Sequence, residues 1–231
     1  MIKIIARQLS PQIASDFGAE PEQGGMGGLD DLLAESEDRW AKAERRAQGV
    51  ADKGLSKALT TYFSLYFPAA VVLLFIVGAA LGMLLFQGEW ANTQTYLFAG
   101  TMLGGIGAIA SGITYKAKVI FSAVEMGRMN VTMSLNADEQ KEIRRQILGQ
   151  VTLRPEHVAV KRAAAVQLRK ALATQLIVLA PILEFQFLVQ VLNTGNPIGW
   201  LSAIVGIAFT VSLIVPVRQF LALGRFLNQT A

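Results

Sequence analysis

The sequence predicts an all-α polytopic membrane protein with four transmembrane helices, cytoplasmic N- and C-termini, and a helical cytoplasmic loop between spans two and three. Three observations carry that prediction. Hydrophobic residues make up 52% of the 231 and charged residues only 16%, a balance outside the range of soluble domains. Four segments, 62–87, 96–115, 172–192 and 198–217, each approach the ~20 apolar residues needed to cross a hydrocarbon core. None of them contains Lys or Arg.

The basic residues orient the chain, since Lys and Arg in short loops near span ends stay on the cytoplasmic side. Lys42, Arg45, Arg46, Lys53 and Lys57 precede span one, eleven Lys/Arg lie between Lys116 and Lys170, and Arg218 and Arg225 follow span four. The outer turns, 88–95 and 193–197, carry only Glu89. Both termini are therefore expected inside, with Trp90, Tyr96 and Trp200 at the outer boundary and Tyr62, Tyr66 and Tyr115 at the inner one. A bacterial inner membrane is the most economical location. The net charge of +4 follows from this topology and is no nucleic-acid footprint.

Residues 1–61 read as a cytoplasmic N-terminal segment in which no cleavable signal fits. Ile2, Ile4, Ile5 and Leu9 alternate with Lys3 and Arg7 as a short strand or a surface helix. The glycines from Gly24 to Gly28 then break the chain. An amphipathic helix follows from Asp30 or Asp31 to about Gln48, its apolar points Leu29, Leu32, Leu33 and Trp40.

After the first transmembrane hairpin, 62–115, the loop 116–171 reads as a cytoplasmic helical hairpin. Residues 116–135 are expected to prolong span two, with Met126, Met129 and Met133 on one stripe. That stripe suits core or interface packing better than a soft-metal path. Asn136 and Glu139 form a capping-box start for a second helix to about Leu148. Pro155 starts a third that enters the membrane as span three. The second transmembrane hairpin covers 172–217, and 218–231 is a cytoplasmic tail. Lys57-Ala58-Leu59, Thr61 and Pro68 match Lys170-Ala171-Leu172, Thr174 and Pro181 at a constant offset of 113, which suggests a duplicated plan of parallel repeats.

Small residues mark the helix contacts. Gly78 and Gly82 in span one, and Gly100, Gly104 and Gly105 in span two, are spaced to let two backbones approach closely. The candidate site lies in span three. Glu184 is a carboxylate in an otherwise apolar helix, where an unpaired charge costs roughly 3 kcal/mol or more and marks a site by default. Gln186 and Gln190 share a different stripe with Gln175 and Asn193, so both faces of this helix are expected to be buried. Pro181 frees the carbonyl of Ile177 and predicts a kink one turn before the acid. Depth arithmetic sets Glu184 opposite Gly105 and near residues 206–208, with Thr210 or Ser202 as hydrogen-bonding partners and space for water or an ion.

No catalytic residue, metal site or cofactor is expected. Cysteine is absent, and the single histidine, His157, lies on the cytoplasmic side without a converging carboxylate cluster. A membrane enzyme is therefore the weakest reading. The favoured one is a scaffold or assembly subunit of a larger membrane complex, such as a secretion, conjugation, respiratory or transport machine. Its partners would be the lipid bilayer and other membrane-protein subunits, further copies of this chain among them. The alternative is an ion- or proton-conducting channel or transporter subunit in which Glu184 titrates. Two spans, a cytoplasmic loop and two more spans, with prolines at Pro181 and Pro216, resemble in topology the stator channel subunits that power flagellar rotation, although the loop is short for that family.

Overall fold

The computed structural model describes the backbone of residues 27–88, 92–127, 129–192 and 197–230, and the side chains of these except 27, 29, 184, 186–192, 197–203 and 209. The readings for the first 26 residues, and the aromatic rings of Trp90 and Trp200, lie outside the described residues.

Helix α1 (Gly27–Ala47) leads into a two-residue strand, β1 (Ala51–Asp52). α2 (Leu55–Thr61) passes through a π-helical turn, Tyr62–Tyr66, into α3 (Phe67–Leu85). α4 (Thr93–Tyr115) starts at Asn92, whose side chain accepts from the Thr95 N–H at 2.8 Å and so satisfies an orphan donor of the first turn. A second π-helical turn, Lys116–Ile120, ends it. β2 (Val124–Glu125) and a 3-10 turn (Val131–Ser134) connect it to α5 (Ala137–Ile147). α6 (Val158–Leu192) then runs unbroken for 35 residues, followed by α7 (Pro197–Ser212) and α8 (Ile214–Gln229).

The molecule is mostly helical, and four stretches are long and apolar enough to cross a membrane: Leu55–Leu85, Thr93–Ile120, Val158–Leu183 and Ile204–Gln229. Many apolar side chains of the first, second and fourth face outward. Leu73, Leu84, Ile106 and Ile207 are 63, 68, 62 and 63% exposed, an arrangement that water penalises and hydrocarbon does not. The closed core sits instead at the basic end of the spans. There Ala43, Leu55, Tyr62, Ile120, Val131 and Ile143 cluster with Val160, Leu223 and Phe226.

Three local expectations change. Residues 116–135 are not one helix: Ala51 and Asp52 pair antiparallel with Glu125 and Val124, and Val124, Val131 and Leu135 are drawn into the core. Burial and strand pairing outweigh the helical preference of a short amphipathic run. Met126, Met129 and Met133 consequently stand exposed on a connector rather than along a helix. The third helix begins three residues after Pro155, because His157 holds a left-handed φ of 52° that no helix accommodates. The segment read as a tail is α8, nearly continuous with α7 across Leu213. It buries Phe220, Leu223, Phe226 and Leu227 at i, i+3, i+6 and i+7.

Glycine decides how closely α3 and α4 approach. A Cβ on Gly78 would lie 2.7 Å from the Ala99 carbonyl oxygen, and one on Gly100 would lie 2.8 Å from that of Phe75. Gly104 faces the Val71 carbonyl at 3.3 Å in the same sense, and Gly82 faces Ala99 Cβ at 3.1 Å. The contacts of Gly78, Gly100 and Gly104 are with backbone carbonyls, and Ala99 Cβ has no rotamer, so no side-chain rotation relieves an added methyl group. Gly78→Ala and Gly100→Ala should each destabilise the folded protein by about 1–3 kcal/mol, whereas outward-facing Ile106→Ala should change it by about 0.5 kcal/mol or less. Thermal unfolding in detergent, followed by loss of the monodisperse peak, measures the difference.

Candidate functional site

Glu184 lies in the last third of α6, and the helix continues through it to Leu192. Its side chain, like those of Gln186 and Gln190, lies outside the described residues. The surroundings are described on the near side. Pro181 is fully buried, and the Ile177 carbonyl, which has no proline N–H to accept, is turned toward α4 at Gly112. A Cβ there would lie 3.0 Å from that oxygen and 2.9 Å from the Tyr62 hydroxyl oxygen. The carbonyl freed by Pro181 is thus admitted by a glycine rather than by a break in the helix.

One turn on, the notch at Gly105 is filled. The Phe185 ring packs against Gly105 so closely that any side chain there would collide with it. The residue that meets Gly105 is thus Phe185, one position along α6 from Glu184. The space anticipated there for water or an ion is taken by an aromatic ring. The Thr210 hydroxyl donates to the Gly206 carbonyl of its own helix at 2.9 Å. That back-bond is the ordinary way a helical Thr satisfies itself in an apolar setting.

The strongest polar centre lies elsewhere, at the basic end of α6, and sequence reading did not single it out. Arg169 is 8% exposed. Its Nη1 donates to Asp52 Oδ2 at 2.5 Å, its Nη2 donates to the Ser56 hydroxyl, and its guanidinium stacks 4.6 Å from the centre of the Phe220 ring. Asp52 in turn accepts from the N–H groups of Gly54 and Leu55 at 2.9 and 2.8 Å. One carboxylate thus neutralises Arg169 and satisfies the first donors of α2. Gly224 of α8 makes room for the guanidinium, because a Cβ there would lie 2.8 Å from Nη2. Arg169 therefore joins the lead-in to span one, span three and α8. The available signal was Asp52 itself, an isolated acid in a basic lead-in, one residue short of the Gly54-Leu55 helix start.

Two further contacts brace this end. The Tyr115 hydroxyl donates to the Ala58 carbonyl at 2.7 Å, in a buried position that links span two to α2. His157 stacks on Trp40 at 4.1 Å with the rings 13° apart, and its Nδ1 lies 2.8 Å from Glu44 Oε1. Both Glu44–His157 and Ser56–Arg169 join positions separated by 113 residues, the offset of the internal similarity. Contacts between equivalent positions are what a two-fold axis between two halves produces.

Removing one partner of a buried ion pair leaves the other uncompensated, at a cost of about 3–5 kcal/mol. Arg169→Ala should destabilise the protein by that order. Arg169→Lys should recover little of it, because an ammonium cannot reach Asp52 and Ser56 with one planar fork. Thermal unfolding in a single detergent, comparing the two variants, checks both statements. Comparison of the chain with protein-family models, with curated proteins and with solved structures returns no match.

Proposed function

We propose that this chain is a multi-pass scaffold or assembly subunit of a larger membrane complex, resident in a bacterial inner membrane with both termini on the cytoplasmic side. The observation that supports it best is the Phe185 ring in the Gly105 notch. A conducting path past Glu184 needs polar volume beside it, and the adjoining face of α6 is closed against α4 by an aromatic ring. None of the apolar segments 62–87, 96–115, 172–192 and 198–217 carries a Lys or Arg to balance the acid. Glu184 is then best served as a neutral hydrogen-bonding group whose partner comes from another subunit, the common fate of polar side chains between membrane helices.

The connector after span two adds to this reading. Met129 and Met133 are 59 and 70% exposed, yet the connector is held in place: the Gln167 side chain accepts from the Val131 N–H at 3.1 Å and donates to the Met129 carbonyl at 3.3 Å. Flexible thioethers on a pinned backbone suit docking against another protein.

Glu184→Gln keeps shape and hydrogen bonding but removes titration. The variant should assemble and work normally, with an unchanged mass for the detergent-extracted complex. Glu184→Leu should weaken assembly by about 1–2 kcal/mol, the range for an interhelical hydrogen bond in model membrane peptides. If the Gln variant assembles fully but loses ion flux in reconstituted vesicles, Glu184 is a carrier and the scaffold reading fails.

A further inference from the structure

Two cavities open one after the other along the cleft bounded by the lead-in helix of span one, α6 and α8. The first, of about 640 Å3, is apolar. It is lined by Leu59 and Phe63 from the span-one side, Leu176 and Ala180 from α6, and Leu213 and Val217 near the α7–α8 junction. The second, of about 550 Å3, is polar, and Arg162, Arg169 and Asn228 contribute to its wall with Asp52 and Gly54. Ser56 belongs to both, and the Arg169–Phe220 stack stands between them. Toward the basic end the wall carries Asp52, Arg162, Arg169 and Asn228, and at membrane depth it is mainly apolar, with Thr60 and Ser64 also in the lining. The result is one cleft with a cationic mouth and an apolar shaft.

The charge at the mouth is unevenly balanced. Asp52 is spent on Arg169. Arg162 is exposed, and among the described residues no carboxylate pairs with it. Asn228, also exposed, supplies a neutral amide at the same opening. An anion placed there meets an uncompensated guanidinium, while a cation does not meet an uncompensated acid.

From these observations we infer that the cleft binds one anionic phospholipid, with an acyl chain in the shaft between Phe63, Leu176 and Val217 and the headgroup phosphate at Arg162. Basic pockets between membrane helices are suited to acidic headgroups, and the apolar continuation makes the site amphiphilic rather than a phosphate pocket alone. The lipid acts as the wedge that fills the span-one to α8 gap.

Native mass spectrometry of the full-length protein in detergent, titrated with phosphatidylglycerol or phosphatidylcholine, tests this. One phosphatidylglycerol should be retained about five-fold more strongly than phosphatidylcholine, the effect of one surface guanidinium on an anionic lipid. Arg162→Ala, an exposed position outside the Asp52 pair, should bring the two lipids to parity. Ala180→Trp should lower retention of both by filling the shaft, and Val217→Trp repeats that test from another helix, with circular dichroism verifying the fold. Equal retention of the two lipids by the unmodified protein, or unchanged selectivity in Arg162→Ala, overturns the proposal. So does displacement of phosphatidylglycerol by inorganic phosphate together with normal binding to both Trp variants, which would make the mouth a phosphate site without a lipid.

Discussion

The buried Arg169–Asp52 pair is the constraint on which the basic end of the molecule depends. A guanidinium that is 8% exposed must have its charge answered. Asp52, Ser56 and the face of Phe220 do so together. Because those partners come from the lead-in to span one and from α8, satisfying one residue of α6 fixes three elements. Asp52 can serve only while β1 is held against β2, and its other oxygen is committed to the start of α2. The strand pair, two residues long and of negligible stability alone, is kept by this shared carboxylate.

Above that anchor, the two sides of span three are packed differently. Between α3 and α4 the glycines let peptide groups touch, and dispersion accumulates over a long contact. On the other side of the molecule a cleft stays open between the lead-in helix of span one and α8. Span three lies between the packed and the open side. Phe185 fills Gly105 and the Ile177 carbonyl meets Gly112 on the α4 side, while Leu176 and Ala180 face the cleft. The same helix is therefore a packed core element on one side and a cleft wall on the other.

Much of this was legible in the residues. Twenty-residue apolar runs without Lys or Arg read directly as long apolar helices, because length and transfer energy need no tertiary information. The Gly78 and Gly100 contacts could be anticipated from i,i+4 spacing, as small residues have few other uses in a lipid-facing helix. The connector was misread because its periodicity resembles a helix, while Val124 and Val131 are recruited by a core assembled from distant segments. Glu184 drew attention as a charge in hydrocarbon. Arg169 did not, because an arginine just before a span resembles every other entrance cation.

By itself the sequence determined the class of the protein, its four long apolar helices and the glycine surfaces where two of them meet, since these follow from composition and helical period. Only the tertiary structure decided which cation is buried, which residue enters the Gly105 notch and where the chain leaves a gap. Those outcomes turn on rotations of about 100° per residue and on contacts between positions more than a hundred residues apart. Phe185 closes the Gly105 notch with an aromatic ring, a pairing that spacing and composition do not name.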